Sequence, residues 1–130
     1  MRLTFGPNDM TMMIMISGPY RGGTNDDPAL IRQNFDRLQS YALPVYRRGH
    51  VPIIGEWVAL PLMRLAGSER VGDAVYDELS YPVAHRLLRS CGAVLRIPGQ
   101  SRGADQDVEI ARNPGLPVYF SIDEIPPADV

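Results

Sequence analysis

Ser101, Gly103 and Asp107 have the types and spacing of an anion site beside a reactive carboxylate. In the stretch "SRGADQDVEIA", Ser101 and Gly103 come just before a predicted helix, and Asp107 lies within it. The free amides of a helix start, a serine hydroxyl and a glycine that allows close approach suit a bound anion. The alternative is an ordinary helix cap, because serine is one of the residues preferred there.

Asp107 is the candidate nucleophile of this stretch. In a helix predicted over 104–113, Ala104, Val108 and Ala111 recur at the spacing of a buried face, and Asp107 falls on its border. A carboxylate in the first turn is expected to be partly buried and kept ionised by the helix dipole. Such a group suits a nucleophile or an electrostatic stabiliser. The alternative is a solvent-exposed first-turn aspartate, which helices favour in any case.

A second candidate binding segment, "SGPYRGG", follows an apolar run. Gly18 and Gly22 allow unusual backbone angles, and Arg21 offers a fork of donors that matches phosphate. The hydroxyl of Tyr20 could meet a sugar or a carboxylate. Ser17, Gly18, Arg21 and Gly22 are therefore candidate substrate-binding residues, and Tyr20 is a candidate catalytic residue. The alternative is a tight turn with an exposed arginine.

Both segments follow strands in a predicted alternation of strands and helices. Short apolar runs predict strands over 12–17, 51–54, 93–97 and 117–121, with helical patterns between them. This alternation predicts an α/β protein with three α/β/α layers, of the flavodoxin or Rossmann type, and a mostly parallel sheet of four to five strands. The loops after the first and third strands then lie at one sheet edge, where such folds bind ligands.

The first helix is predicted to begin at a cap formed by Asp26 or Asp27, with Pro28 in its first turn. Pro44 is expected to end or kink this helix. Residues at helical spacing predict its core-facing side. They are Leu30, Ile31, Phe35, Leu38, Tyr41 and Ala42.

The region 55–80 is predicted to hold short helices separated by Gly67, and Ser80 is predicted to cap a further helix before the third strand. Several apolar residues here look exposed, which suggests a partner surface or a lid over the site. They include Trp57, Leu60, Leu62 and Met63.

Composition limits the classes of function. The 130 residues predict one domain over 12–130 after an irregular segment 1–11. A net charge of −2 gives no reason to expect binding to nucleic acid or to membranes. All 13 basic residues are arginine, which excludes a Schiff-base lysine and a Walker-type phosphate lysine.

The single cysteine, Cys91, forms no internal disulfide and no cysteine-rich metal site, and we interpret it as a small buried residue beside a strand. No metal-ligand cluster is visible in the sequence. No apolar segment approaches the roughly 20 residues that span a bilayer, and no secretory signal is evident. The expected location is the cytoplasm.

Three segments together resemble the nucleoside 2-deoxyribosyltransferase superfamily: "SGPYRGG", "GHVP" and "SRGADQDVEIARNPGLPVY". The strongest resemblance is to its deoxynucleoside 5′-monophosphate N-glycosidase branch and to small uncharacterised relatives. It spans residues 12–120 in the order of elements and is dense only in the two loops. It implies Asp107 as nucleophile with Tyr20 nearby, Ser101 as phosphate contact, and Gly18, Arg21 and Gly22 at the phosphate end.

The chain departs from that family pattern at two positions. Asp107 stands where the family usually has glutamate, which would move the carboxylate by about 1.5 Å, and misplacement of about 1 Å can cost roughly 100-fold in rate. Ala84 stands where the family often has an aspartate that handles the nucleobase. His85 beside it could serve as base contact or general acid, although a lone helical histidine is more often structural.

The resemblance implies hydrolysis or transfer of an N-glycosidic bond in a nucleotide or nucleoside, without a cofactor, by a homodimer or larger homo-oligomer. Two alternatives remain open at the level of sequence. One is a non-catalytic nucleotide-binding module of the same fold. The other is a glycohydrolase that acts on another nucleotide, such as NAD.

Overall fold

Four parallel strands form the centre of the computed structural model, which describes residues 10–128. The strands are β1 (Met13–Ser17), β2 (Val51–Ile53), β3 (Ala93–Arg96) and β4 (Val118–Tyr119). Their order in the sheet is β2-β1-β3-β4, and every neighbouring pair is parallel. This order matches the first four strands of the flavodoxin-like arrangement, so the predicted fold class is confirmed.

Helices follow the first three strands and cover the sheet. They are α1 (Pro28–Ser40), α2 (Ala42–Arg47), α3 (Gly55–Leu65), α4 (Ala74–Leu88) and α5 (Arg102–Arg112), with a short 3-10 helix over Ile122–Glu124. Within residues 10–128, no helix is long and apolar enough to cross a membrane. The predicted irregular segment 1–11 lies outside the described residues except for its last two positions.

The pleat of β1 sends alternate side chains to two different layers. Ile14 and Ile16 belong to the core cluster that includes residues of α1 and α2. Met15 belongs to the cluster that includes residues of α4 and α5. Ser17 lies two residues after Met15 and therefore also faces α5. The strand thus presents its last hydroxyl to the layer that carries Asp107.

Helix α1 begins where the sequence predicted, but Pro44 does not determine where it ends. Asp27 caps α1 by accepting a hydrogen bond from the amide of Ala29. The helix ends at Ser40, before the proline, and Pro44 is the third residue of α2. A proline is tolerated in the first turn because the amide that it lacks has no helical partner there. Leu30, predicted to face the core, is exposed.

Ser80 does not cap a helix, contrary to the prediction, because α4 runs without interruption through it. The cap is Asp73, whose carboxylate accepts hydrogen bonds from the amides of Glu69, Arg70 and Tyr76. Pro82 lies inside α4 and removes one amide donor from the helix. The strong cap at Asp73 extends the helix upstream of the Ser-Tyr-Pro pattern.

Of the four apolar residues that looked exposed in sequence, only Leu62 is exposed. Met63 is buried where α3 packs against α4, and Leu60 packs against the same cluster. The indole of Trp57 donates a hydrogen bond to Gln39 at 2.8 Å and packs against the main core. The apolar composition of α3 therefore serves mainly the contact between α3 and α4.

His50, the histidine of "GHVP", is a buried structural residue. Its Nδ1 accepts a hydrogen bond from the amide of Met12 at 3.1 Å, and its Nε2 lies 2.7 Å from the carbonyl oxygen of Pro126. The imidazole therefore ties the start of β1 to the segment after the 3-10 helix. Cys91 is buried and not in a disulfide, as its composition-based interpretation predicted.

Candidate functional site

The site lies where the order of the sheet reverses. The chain moves from β1 to β2 in one direction across the sheet and from β3 to β4 in the other. The carboxyl ends of β1 and β3 are neighbours, with Ser17 paired in register with Arg96. Such a switch point leaves a crevice between the loops that follow the two strands. The first loop (18–27) and the second loop (97–101) meet there, as the sequence predicted.

The two loops are in direct contact through glycines. A Cβ atom on Gly22 would lie 2.4 Å from the carbonyl oxygen of Gln100, so a side chain there would force the loops apart. The hydroxyl of Ser101 donates a hydrogen bond to the carbonyl oxygen of Gly18 at 3.4 Å. Position 22 therefore requires glycine, because the backbones of the two loops pack closely against each other there.

Asn34 on α1 fixes the first loop from behind and was not singled out in the sequence. Its side-chain amide donates to the carbonyl oxygens of Tyr20, at 2.9 Å, and Gly22, at 3.3 Å. The ring of Tyr20 also packs edge-on against Phe35, with centroids 5.7 Å apart. Helix α1 therefore holds both the backbone and the ring of Tyr20 in place.

A cavity of about 530 Å³ opens between the loops, within the usual range for small-ligand sites. Every predicted site residue except His85 lines it. Its wall includes Ser17, Gly18, Tyr20, Arg21 and Gly22 after β1, Gly55 and Glu56 of α3, Tyr76, Asp77, Ser80, Tyr81 and Ala84 of α4, and Ser101, Arg102, Gly103, Ala104 and Asp107 after β3.

Asp107 is held at the floor of this cavity with one oxygen unpaired. Its residue surface is 8% exposed. The hydroxyl of Ser17 donates to Oδ2 at 3.0 Å, and Oδ1 is buried without a hydrogen-bond partner among the described residues. A buried carboxylate oxygen without a partner is costly, and such groups mark places where a ligand or a reaction supplies the partner.

The pKa of Asp107 is raised to about 6, opposite to the direction expected from the helix dipole. Burial is the largest cause, and the hydrogen bond from Ser17 and the charge of Arg96 oppose it. The prediction placed Asp107 in the first turn of the helix, which was wrong because α5 begins at Arg102, with Ser101 as its cap. Asp107 is therefore the sixth helical residue, beyond the first turn where the dipole is strongest.

Glu56 is the site residue that sequence reasoning missed. It is the second residue of α3, three residues beyond the end of β2, and it lines the same cavity as Asp107. Burial raises the pKa of Glu56 to about 7, its own backbone amide lowers it, and the charge of Asp107 raises it further. The available signal was its position, because a carboxylate shortly after a parallel strand lies at the ligand-binding edge.

Two tyrosines complete the environment of Glu56. Burial, followed by the charge of Glu56, raises the pKa of Tyr20. Burial and then the charges of Glu56 and Tyr20 raise the pKa of Tyr76, which is a buried residue. Both phenols therefore remain protonated at neutral pH and can donate hydrogen bonds into the cavity.

The guanidinium of Arg21 is already bound to a carboxylate, whereas the sequence predicted a free phosphate fork. Its Nε and Nη2 donate to the two carboxylate oxygens of Asp26 at 2.9 Å each. Asp77 lies 3.7 Å from Nη1, and the guanidinium sits 5.2 Å from the centre of the Tyr76 ring. A phosphate at Arg21 must therefore compete with Asp26.

The start of α5 offers donors that are free of helical partners. The hydroxyl of Ser101 accepts a hydrogen bond from the amide of Ala104 at 3.1 Å, so its role as a cap is confirmed. The amides of Arg102 and Gly103 have no partner within the helix because the helix begins there. Arg96 fixes this end by donating to Asp105 at 2.9 Å.

His85 does not line the cavity. Its ring stacks on that of Tyr81, with centroids 6.0 Å apart, and Tyr81 and Ala84 occupy the wall. The Nε2 atom of His85 is buried without a hydrogen-bond partner among the described residues. We therefore assign His85 no part in the chemistry that follows.

The cavity combines two carboxylates of raised pKa with phenol, hydroxyl and amide donors, which is a set suited to acid–base or nucleophilic chemistry. Among residues 10–128, no group of three or more His, Cys, Asp or Glu side chains is placed to hold a metal ion. Comparisons of the chain with protein-family models, with curated proteins and with solved structures found no match.

Proposed function

We propose that the protein cleaves the N-glycosidic bond of a nucleotide or nucleoside, with Asp107 as the nucleophile. The observation that carries this proposal is the state of the Asp107 carboxylate. Ser17 holds Oδ2, Oδ1 is buried and unpaired, and Asp107 lines a cavity large enough for a nucleoside. The resemblance of the two loops to nucleoside 2-deoxyribosyltransferases supports the same chemistry.

In the proposed reaction, Oδ1 of Asp107 attacks the anomeric carbon as the bond to the base breaks, through an oxocarbenium-like transition state. A glycosyl ester forms on Asp107 and is then hydrolysed by water or transferred to a second base. With a pKa of about 6, this carboxylate is mostly ionised at neutral pH, as attack requires. Ser17 orients it throughout.

A 5′-phosphate, where the substrate carries one, would sit at the start of α5. The free amides of Arg102 and Gly103, with the positive end of the helix dipole, suit an anion there. The exposed pair of Arg21 and Asp26 lies on the same cavity and would have to open for Arg21 to join this site.

The second candidate function is a nucleotide-binding module without catalysis. Ala84 favours it, since it supplies no polar group on the wall where the resembled family often handles the base. Such a module would bind nucleotides and be thermally stabilised by them without releasing a base.

The test is base release from a panel of ribo- and deoxyribonucleosides, their 5′-monophosphates and NAD. We expect release by the wild type and a loss of at least about 1,000-fold in Asp107→Asn, because the amide cannot attack. Glu109→Gln, an exposed acidic residue on the same helix, is the matched control and should keep the wild-type rate. Equal rates for Asp107→Asn and the wild type would exclude Asp107 as the nucleophile.

A further inference from the structure

Glu56 lies across the sheet edge from Asp107. It lies in the first turn of α3, the helix that follows β2, whereas Asp107 lies on the helix that follows β3, and β1 runs between the two strands. At about 4.8 Å per strand spacing, the ends of β2 and β3 are roughly 10 Å apart. Ser17, which holds Asp107, ends the strand between them. A sugar bound over the end of β1 therefore has one carboxylate on either side.

We infer that Glu56 is the acid that protonates the departing base and then the base that activates the attacking water. This inference rests on the proposed function, since it assigns a second residue to the same reaction. Geometry supports it, because Glu56 and Asp107 line one cavity from two different helices.

Burial, and then the charge of Asp107, favour the protonated form of Glu56 before the reaction. Asp107, Tyr20 and Tyr76 line the same cavity as Glu56, and the Arg21 guanidinium lies over the Tyr76 ring with Asp26 as its partner. Among the ion pairs of the described residues, none involves Glu56. A raised pKa of about 7 leaves both protonation states populated at neutral pH, as a group that donates and then accepts requires.

In this role Glu56 gives up one proton and takes back one proton in each catalytic cycle. Oδ1 of Asp107 forms a bond to the anomeric carbon, the electron pair of the C–N bond leaves on the base, and the Glu56 proton moves to that base. In the second step, water adds its oxygen to the anomeric carbon, its proton returns to Glu56, and the bonding pair returns to Asp107 as a carboxylate. The net products are the free base and the free sugar or sugar phosphate.

The experiment compares two substrates that differ only in their need for a proton. The base of 2′-deoxyguanosine 5′-monophosphate leaves as an anion unless it is protonated, whereas the base of its 7-methyl analogue leaves neutral. Base release is measured in a single turnover, with enzyme in excess and the spontaneous rate subtracted, so that the second step does not limit the signal.

For Glu56→Gln we expect at least about 100-fold slower release of guanine and less than about fivefold slower release of 7-methylguanine. Asp107→Asn should be slow on both substrates, and Glu109→Gln should match the wild type on both. Equal slowing of both substrates by Glu56→Gln would overturn the assignment of Glu56 while the proposed function stands. Failure of the wild type to release a base from either substrate and from every member of the panel above would overturn the proposed function itself.

A second measurement needs no variant and so does not depend on how Glu56→Gln folds. In the wild type, release of guanine should fall as pH rises through about 7, where Glu56 loses its proton. Release from the 1,7-dimethyl analogue, whose base leaves neutral and has no N1 proton to lose, should not fall. The same alkaline fall for both substrates, or for neither, would contradict the role of Glu56.

Discussion

The hydroxyl of Ser17 is the only neutral donor that the described residues place on the Asp107 carboxylate. It lowers the pKa of Asp107 against the larger effect of burial, with help from the charge of Arg96. Without it, the carboxylate would be both less ionised and less well oriented. The effect of Ser17 on the reaction is therefore indirect, through Asp107.

We expect Ser17→Ala to lower kcat by roughly 10- to 100-fold and to raise the pKa of Asp107 further. A hydrogen bond to a charged group contributes about 1.5–3 kcal/mol, and this one is buried. The measurement is the acidic limb of the pH–rate profile, which should move to higher pH. Ser40→Ala removes an exposed hydroxyl bonded to its own helix and is the control. An unmoved acidic limb would show that Ser17 does not tune Asp107.

The sequence was sufficient to select Asp107 and the glycines, but not their environment. Asp107 shares helical spacing with small buried residues, so its burial could be expected from the pattern. The direction of its pKa shift could not be expected from the pattern, because it depends on where α5 begins and on Ser17, which is 90 residues away in the sequence. Glu56 was missed because its partner is likewise remote in sequence.

At the level of elements, the first loop holds Arg21 through an unusual backbone. Asn25 and Asp26 both have positive φ angles, of 50° and 59°, a region that asparagine and aspartate tolerate better than other side chains. In this conformation, both carboxylate oxygens of Asp26 accept hydrogen bonds from the guanidinium of Arg21. The loop therefore has a carboxylate where a phosphate could bind.

We expect Asp26→Asn to raise kcat/KM for a nucleoside monophosphate by about two- to fivefold relative to the free nucleoside. Asparagine tolerates the same backbone angles but no longer neutralises Arg21. The measurement is the ratio of kcat/KM for the two substrates. Asp36→Asn, which opens the exposed pair of Arg32 and Asp36 on α1, is the matched control. A ratio unchanged by Asp26→Asn would place the phosphate away from Arg21.

Strands were more predictable than the boundaries of the helices. Short apolar runs located all four strands to within a few residues, because strands buried on both faces consist almost entirely of apolar side chains. The continuity of α4 was not predictable, since Ser80 and Pro82 form a strong local start signal. Packing against α3 and the cap at Asp73 override that signal.

For the molecule as a whole, the carboxylates of Asp107 and Glu56 lower the free energy of unfolding as pH rises. Their pKa values are raised in the folded protein, Asp107 to about 6 and Glu56 to about 7. The folded state therefore holds more protons than the unfolded state between about pH 4 and 7, and the free energy of unfolding falls across this range. Arg96 and Ser17 oppose the shift at Asp107, and Cys91, with a pKa raised to about 11, stays neutral.

We expect Asp107→Asn to be more stable than the wild type at pH 8, by about 1–3 kcal/mol or roughly 4–12 °C in Tm. Most of the gain should be lost near pH 4, where Asp107 is protonated in the folded wild type and about half protonated in the unfolded state. Thermal unfolding at the two pH values measures it, with Glu109→Gln as the control that leaves both Tm values unchanged. A variant that is less stable than the wild type at pH 8 would contradict the cost assigned to this buried carboxylate.

The most direct test of the central claim is to trap the sugar on the enzyme. A 2′-fluoro-2′-deoxyarabinosyl purine, with and without a 5′-phosphate, should react slowly because fluorine destabilises the oxocarbenium-like transition state. We predict that intact mass spectrometry will show one added sugar and that peptide mapping will place it on Asp107. Asp107→Asn should carry none. Base release without any adduct, or an adduct on another residue, would contradict Asp107 as the nucleophile.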